Sequence, residues 1–181
     1  MRRVMILGQP GSGKSTLAQL LGGITHLPVV HLDQLQWEAG WTEVNRAERT
    51  RRVREVHRRP AWIFEGGHSE TWPDRLAHAD TVIWLDLPVG LRLWRVTKRG
   101  LRWLGRTRPD MAPGCPERLD PDFYRFIWHT RRTGRAKMAA TFAAAPDWMH
   151  RHHLQSPRAV RAYLTALRRA ASVGNLGISH R

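Results

Sequence analysis

Gly8-Gln9-Pro10-Gly11-Ser12-Gly13-Lys14-Ser15-Thr16 is the stretch that decides the fold of this 181-residue chain. It follows the apolar run 4–7 and opens a predicted helix, so it fits the pattern G-x-x-x-x-G-K-[S/T] between a strand and a helix. The glycines let backbone N–H groups point into one concavity, which the helix N-terminus makes electropositive. Residues 9–16 therefore predict a nucleoside triphosphate site, in which Lys14 reaches the β- and γ-phosphates and Ser15 binds Mg²⁺.

Strand and helix patterns alternate on both sides of this motif. Five strands separated by helical crossovers predict an α/β fold of three layers, with a parallel five-stranded sheet covered on both faces and sites at the carboxyl ends of its strands. The length predicts a single domain over residues 1–171, followed by a frayed tail at 172–181. Strands are expected at 4–7, 28–32, 61–65, 81–85 and 148–154, and helices at 14–21, 44–59, 72–77, from residue 88 onward, 121–143 and 158–171.

Composition narrows the class of protein further. Hydrophobic residues make up 41% of the chain and no apolar run reaches the roughly 18 residues of a membrane span, so we expect no membrane segment. A single cysteine cannot form an internal disulfide, and it favours a reducing, cytoplasmic location. Lys and Arg total 30 against 15 acidic residues, a net charge of +15, which predicts a polyanionic partner: DNA, RNA or a small polyphosphate.

Three stretches carry a resemblance to a known family: His31-Leu32-Asp33, the segment 62–67 (WIFEGG) and the segment 105–118 (GRTRPDMAPGCPER). With the phosphate motif, they resemble P-loop small-molecule kinases of the adenylate-kinase-like and shikimate-kinase-like branch, and more narrowly the topology modulation, or FlaR-like, proteins. The resemblance implies an ATP-dependent phosphotransferase fold whose acceptor is generally unassigned, with ATP and Mg²⁺ as cofactors.

The third predicted strand departs from that family. It ends in Glu65-Gly66, where the family usually has Asp-Gly and the carboxylate orients Mg²⁺-bound water. Glutamate keeps the charge and reaches one methylene further, so Glu65 is our candidate metal residue beside Ser15. Asp86, at the end of the fourth strand, is the competing carboxylate, and its alternative role is to start the helix that follows.

Two groups of arginines stand where an anion would bind. Arginines 92, 95, 99, 102 and 106 recur at spacings of three and four, on one helix face. The resemblance to adenylate kinases implies that Arg95 and Arg99 contact the nucleotide and the transferred phosphoryl group, while a solvated basic face is the alternative. Arg131 and Arg135 fall within an apolar helical stripe formed by residues 124, 127, 128, 138 and 142, which predicts buried guanidinium groups paired with a phosphate or a carboxylate.

The remaining candidates concern the acceptor. Asp33 ends the second strand and could orient or deprotonate an acceptor hydroxyl; capping a helix or pairing with arginine is the alternative. Residues 106–118 predict a lid-like loop, with Arg118 as a further phosphate ligand and Cys115 as a packing residue. Trp37 and Trp41 either stack a base or, as we favour, fill a small core.

These features predict a kinase that transfers phosphate from Mg-ATP to a small acceptor, a nucleotide or nucleoside. Two alternatives use the same site: a nucleic-acid-associated ATPase, and a kinase that acts on nucleic-acid ends. Nucleic acid is a secondary partner in this interpretation, because the chain has no helix-turn-helix, RNA-binding or zinc-finger signature.

Overall fold

The computed structural model of the chain describes residues 1–176. Its centre is a five-stranded parallel sheet in the order β2-β5-β1-β6-β7, which confirms the predicted α/β architecture. The strand β1, which leads into the phosphate motif, is central and pairs with β5 on one side and β6 on the other. The strands of this sheet are β1 (Arg3–Gly8), β2 (Val29–His31), β5 (Trp62–Glu65), β6 (Thr81–Leu85) and β7 (His150–Leu154).

Helices cover both faces of the sheet, because β1, β5 and β6 are buried along almost their whole length. On one face, Leu17 and Leu21 of α1 and Leu164 of α8 pack against Ile6 and Ile83. The opposite face is covered by α3, α4 and α7, which contribute residues such as Val53, Trp72 and Met138. The helices are α1 (Lys14–Thr25), α2 (Leu32–Gln36), α3 (Arg46–His57), α4 (Trp72–His78), α5 (Val89–Trp103), α6 (Pro121–His129), α7 (Arg131–Ala143) and α8 (Pro157–Leu176), with a 3₁₀ turn at Ser69–Thr71.

Several predicted boundaries were wrong. The helix expected over 121–143 is two helices, α6 and α7, which meet at Thr130. The Thr130 hydroxyl donates to the Phe126 carbonyl, and the side-chain amide of Gln9 donates to the carbonyls of Thr130 and Arg131, so a long-range contact accompanies the break. Helix α5 ends at Trp103, before Arg106. Helix α8 continues to Leu176, through the first part of the predicted frayed tail, whose residues 177–181 lie outside the described part of the chain.

The lid segment, residues 106–118, has a small core, although its sequence shows no apolar pattern. Met111, Ala112 and Cys115 are buried, and they pack against Trp37 and Trp41 of a short hairpin formed by β3 (Trp37–Glu38) and β4 (Thr42–Glu43). The tryptophans therefore fill a small core, as we favoured, and Cys115 is a packing residue. Over residues 1–176, no helix is long and apolar enough to cross a membrane.

Candidate active site

The phosphate loop, residues 8–16, adopts the backbone that its glycines permit. Gly11 and Gly13 have φ of 77° and 93°, a region that L side chains rarely occupy. Gly13 caps α1 without a side-chain hydrogen bond, and the first turn of α1 carries no acidic residue. The N–H groups at this end thus remain available to an anion, and the helix dipole favours one.

Two further observations test whether this loop fits a phosphate. The Ser12 hydroxyl is buried and has no hydrogen-bond partner, which is costly unless a ligand supplies one. A Cβ atom on Gly11 would lie 2.4 Å from the backbone oxygen of Arg92, so the close packing of the loop against α5 requires glycine. The cradle therefore fits a triphosphate.

The residues predicted to hold Mg²⁺ lie together. The Ser15 hydroxyl donates to Glu65 Oε1 at 3.0 Å, and Glu65 is buried, with 3% of its surface exposed. Burial by itself would raise the pKa of Glu65, but the hydrogen bond from His31 and the charge of Lys14 outweigh it and hold the pKa below its ordinary value. An ionised carboxylate beside a hydroxyl is an oxygen donor set that suits Mg²⁺, which keeps several of its waters.

His31 is a functional candidate that the sequence interpretation did not single out. Its Nδ1 lies 2.8 Å from Glu65 Oε1, and the side chain is buried at the end of β2. Because β2 and β5 pair in parallel with His31 opposite Glu65, the sheet itself brings these two side chains together. Both strands were predicted from the sequence, but their pairing was not. If β2 had been placed beside β5, the contact between His31 and Glu65 would have followed.

Asp33 was predicted to end the second strand, but β2 ends at His31, and Asp33 lies in the first turn of α2. Burial raises the pKa of this carboxyl, and the negative charge of Glu65 raises it further, while Lys14 and Arg108 lower it. Asp33 follows His31 by two residues, and His31 contacts Glu65, so Asp33 lies at the same carboxyl edge of the sheet. A carboxylate with a raised pKa beside the phosphate loop is suited to accept a proton from a hydroxyl.

Arg95 and Arg99 reach the loop from α5. The Arg95 Nη1 donates to the backbone oxygen of Ser12 at 2.9 Å, and burial lowers the pKa of Arg95. Arg99 pairs with Glu117 of the lid segment at 3.1 Å. Arg99 also lines, with Ser15 and Thr16, a cavity of about 280 Å³ that Arg108 and Asp110 close from the lid side.

The lid segment is docked beside this cavity. Arg108 pairs with Asp110 at 2.7 Å and with Glu117 at 2.5 Å, and all three are buried. Hydrogen bonds from Gln34 to the Pro109 carbonyl, from Trp41 to the Pro116 carbonyl and from Gly40 to the Gly114 carbonyl join the lid segment to α2 and the hairpin. Neither Arg108 nor Gln34 was predicted to have a functional role, since a buried ion pair in a Pro- and Gly-rich loop leaves no periodic signal.

Other predicted residues lie elsewhere. Gln9 turns its amide toward the α6–α7 junction, away from the cradle, and Pro10 accepts a hydrogen bond from Arg92 through its carbonyl. Arg131 and Arg135 are not buried in the core, which corrects the prediction from the apolar stripe: the side chain of Arg135 is 57% exposed and pairs with Asp86, and Arg131 stacks on Trp128. The prediction of buried arginines was wrong because it assumed one continuous helix over residues 124–142, whereas α6 and α7 are separate helices.

Asp86 and Arg118 also have other partners. Asp86 is held by Arg135 and by His153, and α5 begins without a side-chain cap, so Asp86 does not start that helix. Arg118 is exposed and lies 3.6 Å from Asp120, at the far end of the lid segment. Arg102 and Arg106 are exposed, whereas Arg92 is buried.

Comparison with known proteins shows the fold. The chain is similar to shikimate kinase from Acinetobacter baumannii in complex with shikimate, with 17% identity, a TM-score of 0.54 and coverage of 97% of this chain and 96% of that one. It is also similar to shikimate kinase from Bacteroides thetaiotaomicron, with 16% identity, a TM-score of 0.54 and coverage of 94% of this chain and 98% of that one. A third similar structure is a gluconokinase from Sinorhizobium meliloti 1021, with 14% identity, a TM-score of 0.51 and coverage of 99% of this chain and 98% of that one. No protein-family model matches the chain. No curated protein matches it either. The structure thus has the three-layer P-loop fold seen in small-molecule kinases.

Proposed function

We propose that this protein is an ATP-dependent kinase that phosphorylates a hydroxyl group of a small acceptor. The observation that carries the proposal is the group at the carboxyl end of the sheet beside the phosphate loop: Ser15 and His31 both contact Glu65, and Asp33 lies in the turn that follows His31. A triphosphate cradle alone would serve any nucleotide hydrolase or switch. A carboxylate with a raised pKa at this edge of the sheet adds a base for an acceptor hydroxyl.

The step follows from these positions. The acceptor oxygen attacks the γ-phosphorus of ATP, its proton passes to Asp33, and the bond from the γ-phosphorus to the bridging oxygen of ADP breaks. Lys14 and Arg95 stabilise negative charge on the transferred group and the leaving diphosphate. Ser15 and Glu65 would hold Mg²⁺, which neutralises charge on the β- and γ-phosphates.

The arrangement of the lid segment supports transfer to an acceptor over hydrolysis. Its buried Arg108 and Asp110 form one wall of the cavity beside Ser15, and α1 and α5 form the others. Water competes with the acceptor for the γ-phosphoryl group, so a wall that excludes water favours the kinase reaction.

The charge pattern also supports a small acceptor. The segment 46–59, which comprises α3 and the two residues after it, has seven arginines, but four of them contact carboxylates: Arg46 with Glu70, Arg49 with Glu43, and both Arg51 and Arg52 with Glu48. A helix whose cations are paired on the protein presents less free charge to a nucleic-acid backbone.

Nucleosides are the first acceptors in this proposal and nucleotides are the alternative, on the resemblance to adenylate-kinase-like and topology modulation proteins. A nucleoside offers the hydroxyl that Asp33 requires, whereas a nucleoside monophosphate accepts phosphate on phosphate and needs no base. The engagement of Trp37 and Trp41 in packing means that neither is a free platform for stacking a base.

An acceptor panel tests the proposal. ADP release from Mg-ATP is measured with nucleosides, nucleoside monophosphates, hydroxy acids such as shikimate and gluconate, and DNA. We expect stimulation by one class of small hydroxyl compound, with phosphorylated product detected by mass spectrometry, and loss of that product in Asp33→Asn. Stimulation by DNA alone, with no phosphorylated small product, would reject the kinase.

A further inference from the structure

Arg75 of α4 is an arginine that is completely buried, with 0% of its surface exposed. Its guanidinium stacks on Phe64, with Cζ 3.9 Å from the ring centroid. Nη1 donates to the Gly66 carbonyl at 3.1 Å and Nε donates to His57 Nε2 at 3.2 Å, whereas the buried Nη2 has no hydrogen-bond partner within residues 1–176. A buried guanidinium with an unused donor costs stability, so packing alone does not account for an arginine at this position.

His57 and Asp74 fix the orientation of this guanidinium. An arginine can only donate, so His57 Nε2 is the acceptor nitrogen of a neutral imidazole, whose Nδ1–H donates to Asp74 Oδ2 at 2.5 Å. Burial lowers the pKa of His57 to about 4, against the effect of Asp74, which keeps the imidazole neutral at physiological pH. Asp74, His57 and Arg75 thus form a chain of directed hydrogen bonds, which we call the Arg75 network.

The Arg75 network ends on the backbone that follows Glu65. Gly66 comes directly after Glu65 and has φ of 124°, which L side chains rarely adopt. Arg75 holds the Gly66 carbonyl, and Trp72, the first residue of α4, donates its indole N–H to the Gly67 carbonyl at 2.8 Å. Both carbonyls after β5 are therefore anchored to α4, and the backbone conformation at Glu65 depends on them.

The same turn packs closely against the start of α2. A Cβ atom on Gly66 would lie 2.3 Å from Leu32 Cβ. Leu32 is buried and stands between His31, which contacts Glu65, and Asp33. A shift of the Gly66 backbone would therefore displace residues on both sides of Leu32 as well as Glu65, since close-packed interiors transmit strain.

We infer that Arg75 is a positioning residue, which through the Gly66 carbonyl holds Glu65 in the orientation that binds Mg²⁺ together with ATP. This role presupposes the proposed role of Glu65 as a ligand of Mg²⁺. Arg75 donates to the Gly66 backbone and to His57, so it acts on the metal through another residue rather than as a ligand. Removal of a group that orients a metal ligand typically lowers metal affinity by about 10–100-fold.

Calorimetric titration with a non-hydrolysable ATP analogue, in Mg²⁺ and in EDTA, tests this role. The phosphate loop contacts the triphosphate in both conditions, whereas Glu65 contributes only when Mg²⁺ is present. In Arg75→Met we expect the affinity in Mg²⁺ to fall by about tenfold or more, while the affinity in EDTA stays unchanged. Arg54→Met, which removes an exposed arginine of α3, is the matched control and should change neither affinity. No turnover is needed, so failure of the acceptor panel leaves the result unaffected.

Two substitutions of His57 separate the directed hydrogen bonds from the filling of space. His57→Leu leaves Arg75 Nε without an acceptor, and it should weaken binding in Mg²⁺ as Arg75→Met does. The side-chain amide that His57→Gln introduces can accept from Arg75 and donate to Asp74, so this variant should recover most of the affinity in Mg²⁺.

Three results would overturn the inference. Equal loss of affinity in Mg²⁺ and in EDTA would mean that Arg75→Met damages the phosphate loop as a whole. Unchanged affinity in Mg²⁺ would mean that Glu65 does not depend on Arg75, and equal loss in both His57 variants would mean that the network only fills space. If Arg75→Met does not fold, Asp74→Ala makes the same test from the other end of the network, where the Asp74 side chain is 36% exposed. Weaker binding in Mg²⁺ alone then supports the role, and unchanged binding overturns it.

Discussion

The phosphate loop and the lid segment both border the cavity beside Ser15, yet they are held in opposite ways. The phosphate loop takes its shape from its own residues, with glycine at 11 and 13 where φ is positive. The lid segment takes its shape from residues about 75 positions away, through Gln34, Trp41 and the small core around Met111. The phosphate loop has α5 as an additional support, since Arg92 and Arg95 donate to the carbonyls of Pro10 and Ser12, whereas the lid segment depends on distant partners for its core as well as for its hydrogen bonds.

Trp41 shows the difference in one residue. It has φ of 63°, a conformation that is strained for a tryptophan and that glycine adopts freely at position 11. Contacts with Met111, Ala112 and Cys115, and the hydrogen bond to Pro116, hold Trp41 in place. The lid segment and the hairpin therefore form a single unit, and they should move together if they move at all.

The largest effect is expected in the phosphate loop. Lys14→Ala should lower phosphoryl transfer by about 10³-fold or more, because it removes the charge that follows the γ-phosphate into the transition state. Nucleotide should no longer raise the melting temperature, while that of the free protein stays unchanged. Lys137→Ala, on the exposed side of α7, is the control. Normal turnover in Lys14→Ala would reject the site.

Asp33→Asn should lower kcat by about 10²–10³-fold while raising stability at neutral pH. The pKa of Asp33 is raised in the folded protein, so ionisation of this carboxyl opposes folding above that pKa, and a neutral amide removes the penalty. In the wild type, activity should fall as pH drops through the raised pKa, since the base must be ionised. A pH–rate profile measures the pH dependence of activity, and thermal melts of the wild type and Asp33→Asn at pH 7 measure the change in stability. Lower stability at neutral pH in Asp33→Asn would show that the carboxylate is a structural partner.

Gly11→Ala should destabilise the protein by about 2–3 kcal/mol, because the new Cβ meets the Arg92 backbone oxygen at 2.4 Å and the positive φ disfavours alanine. Gly23→Ala is the matched control within α1, where nothing lies within 4 Å, and it should stabilise by about 0.5–1 kcal/mol. Urea denaturation compares the two. Equal effects of the two substitutions would mean that α5 does not press on the loop.

Trp41→Ala should cost about 2 kcal/mol, less than a full core truncation because Trp41 is only half-buried. Hydrogen exchange should quicken in residues 37–43 and 106–118 together, with β1 and α1 unchanged. Trp148→Ala, at a residue that is 65% exposed, is the control. Faster exchange in the hairpin without the lid segment would separate the two into independent units.

Much of the fold was predictable from sequence, because its signals are local. The apolar runs of β1, β5 and β6 have the length of buried strands, and the glycines around Lys14 allow only one kind of loop between β1 and α1. The contact between Ser15 and Glu65 was also predictable from the sequence, since parallel strands place their carboxyl ends at one edge of the sheet.

Sequence by itself thus determined the sheet, the phosphate loop and the strand-end carboxylates, whose positions depend on neighbours in the chain and on strand pairing. Tertiary structure alone decided the break at Thr130, the exposure of Arg131 and Arg135, and the docked lid segment. The physical reason is that these features rest on contacts between distant residues, such as Gln9 with Thr130 and Trp41 with Pro116. The apolar period of the sequence runs without interruption through Thr130, so it does not reveal the break between α6 and α7, which the side-chain amide of Gln9 stabilises. The lid segment has no apolar period of its own, because its small core includes Trp37 and Trp41 of the hairpin.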